Sequence, residues 1–257
     1  MKSYAETAQN LITDLRIAIS LCTRLPIGPS AAIGDGDVAR ASWAFPIAGL
    51  VVGLFGAAAY WLASRVHVPP MAASALAMAA TMLLTGAMHE DGLADTADGF
   101  GGGKTRETKL EIMRDSRIGT YGACALAISL MLRWSALAEI AEPRFVAVAL
   151  IAAHVSARAA VPIFMSLVPP ARSDGLSTSA GQPPRQSGTI AFLLGTVCLL
   201  FSFGPSSALV TLLALGLIGL VLARLAIRQI GGQTGDVLGA LEQTCEAAVL
   251  LIAASLL

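Results

Sequence analysis

Residues 43–64 read WAFPIAGLVVGLFGAAAYWLAS, a run without a single charged side chain. A helix rises 1.5 Å per residue, so about 20 such residues match the hydrocarbon thickness of a bilayer. Apolar runs recur at 71–88, 121–140, 145–168, 189–204, 207–223 and 237–257, three of them carrying one or two charged residues. Lipid offers no hydrogen bonds, so a spanning segment must satisfy its own backbone, as a helix does. The expected fold is all-α: a polytopic membrane helix bundle of about seven transmembrane helices, forming one domain over 1–257.

Composition points the same way. The chain is 55% hydrophobic and 13% charged, against about 25% charged in an average soluble domain. A soluble helical core made of these residues would expose too much apolar surface. Formal net charge is zero, and no basic stripe suits nucleic acid. Cys22, Cys124, Cys198 and Cys245 are scattered through apolar stretches without zinc or redox spacing, which suits small packing residues. Asp14 and Arg16 interrupt the first apolar stretch, so no cleavable-signal pattern is expected. Over 4–24, Leu11, Leu15, Ile19 and Cys22 fall at helical spacing opposite Asp14. An N-terminal amphipathic helix at the membrane surface is expected there, within a cytoplasmic region 1–42. Gly204-Pro205-Ser206-Ser207 reads as a turn that folds the fifth and sixth spans into a hairpin.

Alternating seven spans across the bilayer places 1–42, 90–120, 169–188 and 224–236 on one side. Those segments hold thirteen of the 17 Lys and Arg residues. Arg65, Arg133 and Arg144 fall on the other side, and Arg158 lies within a span. Short basic loops stay cytoplasmic, so the richer side is expected to face the cytoplasm.

That side carries His89-Glu90-Asp91-Gly92-Leu93-Ala94-Asp95-Thr96-Ala97-Asp98-Gly99. On a helix Asp91, Asp95 and Asp98 fall within an arc of about 60°. Carboxylates so aligned repel one another unless a cation holds them, and hard oxygen donors suit Mg²⁺. Glu90 points elsewhere on the same helix, as an outer-sphere or general-base group. Gly99–Lys104 imitates a P-loop, but Asp98 stands where the first glycine is required and no strand precedes it. The region 89–120 is expected to be an acidic and basic active-site loop, its glycines forming either a phosphate-approaching loop or a plain turn. Thr105 can cap a short helix to about Arg114, presenting Lys104, Arg106, Lys109, Arg114 and Arg117 to the carboxylates or to local ion pairs. Arginine forks bind phosphate oxygens bidentately.

Elsewhere on that side, Thr234 or Asp236 can cap the last span. Glu242 and Glu246 lie one turn apart inside it, where unpaired carboxylates are expensive. Arg158, after His154 and Ser156, is the natural counter-charge, as an ion-pair partner or a substrate contact. Arg40 precedes Phe45-Pro46-Ile47-Ala48-Gly49.

Taken together, these blocks resemble the cobalamin synthase family, the adenosylcobinamide-GDP ribazoletransferases. The resemblance rests on Thr23-Arg24-Leu25-Pro26, Phe45–Gly49, the acidic block 89–99, Ile112-Met113-Arg114-Asp115-Ser116-Arg117-Ile118-Gly119-Thr120-Tyr121-Gly122 and Gly231-Gly232-Gln233-Thr234-Gly235-Asp236. Segment 172–186 matches loosely, through Asp174-Gly175-Leu176. The resemblance implies a Mg²⁺-dependent enzyme of the bacterial inner membrane. It would join adenosylcobinamide-GDP to α-ribazole or α-ribazole 5′-phosphate and release GMP. Asp91, Asp95 and Asp98 would hold the metal, with Glu90 or Asp115 as base. Lys104, Arg114, Ser116, Arg117, Arg40, Arg158 and Asp236 would contact substrate. The glycine-rich spans could also serve a homo-oligomer interface.

Two other classes fit less well. A CDP-alcohol phosphotransferase would carry arginine where Asp95 stands. A transporter would place its acids near the bilayer midplane in paired halves, and no second half repeats them.

Overall fold

The computed structural model describes residues 4–29, 32–173 and 180–257. The loosely matching Asp174-Gly175-Leu176 and the basic Lys2 lie outside them. Among the described residues there are helices and one isolated bridge, Pro170 with Gln233, but no strand. We label the helices α1 (Tyr4–Cys22), α2 (Asp37–Ala41), α3 (Phe45–Arg65), α4 (Pro70–Thr85), α5 (Met88–Gly102), α6 (Arg106–Ile112), α7 (Thr120–Ile140), α8 (Pro143–Leu167), α9 (Arg185–Ile230) and α10 (Gly235–Leu256).

Five helical segments are long and apolar enough to cross a membrane, or six if α4 and α5 are one broken span. The expected number of about seven is reached only if the two arms of α9 also count separately. Gly204 breaks α9 with φ 75° and ψ 173°, followed by Pro205. Gly188 packs on Pro162 near the end of α8, while Arg106 bonds both Ile230 and Ala171 carbonyls just beyond that end. A straight helix would separate residues 188 and 230 by about 60 Å, so the arms fold back at Gly204 as the turn signal suggested. The second arm runs on to Ile230, so Arg224 and Arg228 are helical rather than in a loop.

Small residues set the packing. A Cβ at Gly53 would lie 2.8 Å from Ile151 Cα, and one at Gly49 would strike the His154 carbonyl. α3 and α8 can touch so closely only because both positions lack a side chain. Tyr60 Oη donates to the Ala141 carbonyl (2.8 Å) and pins the opposite end of the pair.

α1 is a helix as expected, but its orientation differs. Asp14 is buried, whereas Leu11 and Ile12 are exposed. Arg40 pairs with Asp14, and Trp43 Nε1 donates to its other oxygen (3.0 Å). Those partners draw Asp14 inward beside Ile17, Ala18 and Cys22. The spacing of α1 could not reveal them.

Candidate active site

α4 ends at Gly86 (φ 71°) and α5 starts after Ala87 (φ 57°), turning the chain by 88°. The acidic block is therefore a helix and not a loop, and it continues through Gly99–Gly102. That excludes a phosphate loop at the glycines. Gly99 and Gly101 are small because Met113 and Tyr121 pack on them. Lys109 is buried and donates to the Phe100 and Gly103 carbonyls (3.1 and 2.6 Å), closing the end of α5. Arg106 is likewise committed to backbone carbonyls. Neither faces the carboxylates as expected. Thr105 does cap α6, accepting from Thr108 N at 3.3 Å.

α5 crosses α10 at a glycine pair. A Cβ at Gly92 would lie 2.8 Å from the Asp236 carbonyl oxygen and 3.2 Å from Gly239 Cα. This contact brings Asp91 and Asp95 of α5 to Asp236 in the first turn of α10. Asp95 feels the charges of Asp91, Asp236 and Asp98, and Asp236 that of Asp91. Asp91 is exposed and Asp95 half-buried. Neither has a hydrogen-bond or ion-pair partner among the described residues. Thr234 caps α10 at Val237 N (3.3 Å) and also donates to Asp236 Oδ2 (3.1 Å). Arg172 Nη2 donates to the same oxygen (2.9 Å). The loop after α8 holds Arg172 there, because Gln233 N bonds the Pro169 carbonyl and Ala171 N bonds the Gln233 carbonyl (both 2.8 Å).

Asp98 departs from the expected one-faced triad. Both its oxygens turn to the start of α7, accepting from Gly119 N (2.7 Å) and Gly122 N (2.8 Å). An anion there meets unpaired backbone donors and the positive end of the helix dipole. It also lies about 10 Å along α5 from Asp91, too far to share one ion with it.

Glu90, next to Asp91, points into the bundle. Arg133 Nη1 bridges Glu90 Oε1 (3.2 Å) and Glu246 Oε1 (3.0 Å). Arg158 Nη1 lies 2.6 Å from Glu242 Oε1, so the anticipated ion pair forms. His154 Nδ1 is 3.1 Å from Glu246 Oε2, and His89 Nδ1 is 3.6 Å from Glu242 Oε2. Arg133 was expected among the cations of the far side. It is 1% exposed, about 20 Å along α7 from its start, because Glu90 and Glu246 pair with it inside. Among the described residues, His154, Glu242 and Glu246 form the one group whose ligand atoms all lie within 4.8 Å. Two guanidinium groups already neutralise these carboxylates, so this is an ion-pair network rather than a metal centre.

The remaining expected contacts are dispersed. Arg40 pairs with Asp14 and Asp37. Asp115 and Arg117 pair with each other at 2.6 Å on the surface. Arg117 holds the Asp115 carboxyl below the usual carboxylate range, which makes it a weak base. Lys104, Arg114 and Ser116 are exposed. Arg158 and Asp236 do meet, together with His89 and Asp91, around a cavity of about 230 Å³. Its other walls are apolar, including Phe45, Met88, Val161 and Met165. Sequence reasoning missed Arg172, His89 and Arg133 as parts of these assemblies. The only available signal for Arg172 was a cation two residues after Pro169-Pro170, where α8 must stop.

A family model described as cobalamin-5-phosphate synthase matches residues 14–254. The chain is 64% identical over 250 residues to the adenosylcobinamide-GDP ribazoletransferase of Bradyrhizobium diazoefficiens, covering 97% of this chain and 96% of that one. It is 47% identical to the enzyme of that name from Mesorhizobium japonicum (95% and 94% covered). It is 43% identical to that of Ralstonia nicotianae (93% of each). No solved structure matches.

Proposed function

The chain belongs to the cobalamin-5-phosphate synthase family, and from that premise we propose how it carries out adenosylcobinamide-GDP ribazole transfer. The observation that carries the reading is the convergence of Asp91 and Asp95 with Asp236 across the Gly92–Gly239 contact. These are hard oxygen donors that repel one another, and two of them lack partners among the described residues. Such a set suits Mg²⁺. Asp91, Asp95 and Asp236 would hold it, while Asp98 fixes α7 against α5. Bound Mg²⁺ would neutralise the diphosphate of adenosylcobinamide-GDP and the charge that grows on its leaving oxygen.

The chain's own residues position the rest. The apolar walls of the cavity receive the aromatic base of α-ribazole or of its 5′-phosphate, leaving the ribose at the carboxylate end. A ribose hydroxyl there attacks the phosphorus next to cobinamide, giving its proton to the carboxylate cluster. The bond to the second phosphate breaks and GMP departs. Such transfer depends on alignment and charge neutralisation more than on covalent help. Arg172, already at Asp236, is placed to bind a phosphate oxygen. We assign the site to the cytoplasmic face of the bacterial inner membrane, where the basic loops gather.

The test is a GMP-release assay on purified protein with adenosylcobinamide-GDP and α-ribazole, with and without Mg²⁺. Release should require both substrates and the metal. No release in their presence would refute the transfer. Release undiminished by chelation would refute the metal.

A further inference from the structure

A second polar cavity, of about 570 Å³, opens between α6 and the segment after α8. Its wall includes Arg106, Glu107, Glu111, Arg114, Arg172 and Ser173. We infer that this cavity binds the guanosine phosphate half of the donor and releases it as GMP. This assignment rests on the transfer reading above and adds to it the place and polarity of the leaving group.

Three observations carry it. The relatives' donor, by their names, ends in GDP, so a guanosine phosphate must be held beside the reacting phosphorus. The apolar-walled cavity is too small and too greasy for it. A third cavity, of about 560 Å³ between α8 and the arms of α9, is lined almost wholly by aliphatic and aromatic side chains. The α6 cavity sets several arginines beside two exposed carboxylates, whereas the one arginine of the apolar-walled cavity, Arg158, is paired with the buried Glu242. Guanine presents adjacent N1–H and N2–H₂ donors, which a carboxylate accepts side by side, whereas adenine offers no such pair. Glu107 and Glu111, one turn apart on α6 and exposed, supply those acceptors.

The second observation is connection. Arg172 lines the α6 cavity and donates to Asp236, which lines the apolar-walled one. The Asp236 carboxylate and its arginine therefore stand between the two spaces. A nucleophile entering from one and a nucleotide leaving into the other is the arrangement that in-line displacement at phosphorus needs. The new bond joins ribose oxygen to the cobinamide phosphorus, and the bridging oxygen leaves with GMP, taking the electron pair.

The third is that α6 is anchored independently of any ligand. Arg106 ties it to the Ile230 and Ala171 carbonyls, and Lys109 ties it to the end of α5. Glu107 and Glu111 are thus displayed from a fixed support.

The experiment compares GMP with IMP, which lacks only the 2-amino donor, as inhibitors of cobalamin formation by the full-length protein in detergent. Equilibrium binding of the same two nucleotides is measured alongside. A bidentate base contact predicts that GMP binds about tenfold more tightly than IMP. In a Glu107→Ala/Glu111→Ala variant, unfolding at the wild-type temperature, the ratio should fall to near one. Arg114→Gln should weaken both nucleotides equally. A wild-type ratio near one, or a ratio kept in the double variant, overturns the subsite. Failure of the transfer reading looks different: the wild type would form no cobalamin product at all, while nucleotide binding would still report on the cavity.

Discussion

Glu90 and Asp91 are neighbours in the chain, yet they belong to two regions with opposite chemistry. Glu90 joins Glu242 and Glu246 in a buried network in which Arg133, Arg158 and two imidazoles face the carboxylates. Asp91 joins Asp95 and Asp236, where Arg172 donates to Asp236 and no other hydrogen bond from a cation reaches the cluster among the described residues. Inside a bilayer an uncompensated charge is expensive, and each carboxylate of the first set faces the guanidinium of Arg133 or Arg158. In the second set Asp91 and Asp236 line the apolar-walled cavity, where the proposed metal would complete it. Buried acids with counter-charges hold helices together, and we propose that the half-exposed acids without them hold the metal.

The largest expected effect comes from the unpaired set. Asp91→Asn or Asp95→Asn should lower turnover by about a thousandfold and leave the unfolding temperature unchanged or slightly higher, since mutual repulsion is relieved. Normal GMP release by both variants would remove them from the site. The paired set should respond in the opposite sense. Arg133→Leu strands Glu90 and Glu246 together in the interior, and should destabilise the protein by roughly 3–5 kcal/mol. Chemical unfolding in detergent reads this directly, and an unchanged midpoint would mean that the network is not structural. The smallest effect tests the contact between the regions. Gly92→Ala puts a methyl against the Asp236 carbonyl and should cost about 1–3 kcal/mol. It should also raise the Mg²⁺ concentration for half-maximal activity, because Asp236 is pushed away from Asp91. A stability loss with an unshifted Mg²⁺ requirement would separate the crossing from the metal.

Much of this was legible in the chain. The apolar runs marked the helices, Gly204-Pro205 marked the fold-back, and Glu242 with Glu246 called for Arg158. Asp236 was anticipated on the same side as the acidic block. The failures share one cause. Asp98, Asp14, Lys109 and Arg133 are polar residues whose partners come from other helices, and nothing local in the sequence distinguishes a paired charge from an available one. Asp98 has the spacing of a metal ligand, but it meets the amides of Gly119 and Gly122. Arg133 lies seven residues from the end of α7 (Thr120–Ile140) and was counted with the far-side cations, but Glu90 and Glu246 hold it within the bundle.

The sequence by itself determined the solvent, the helices and the kind of chemistry. Apolar length and the type of charged side chain are properties of the chain alone, and they suffice to specify a membrane bundle with hard oxygen donors on its basic side. Only the tertiary structure decided which acids are paired and which are not. Charges act over a few ångströms, and those distances are set by where glycines such as Gly92 and Gly239 let helices approach.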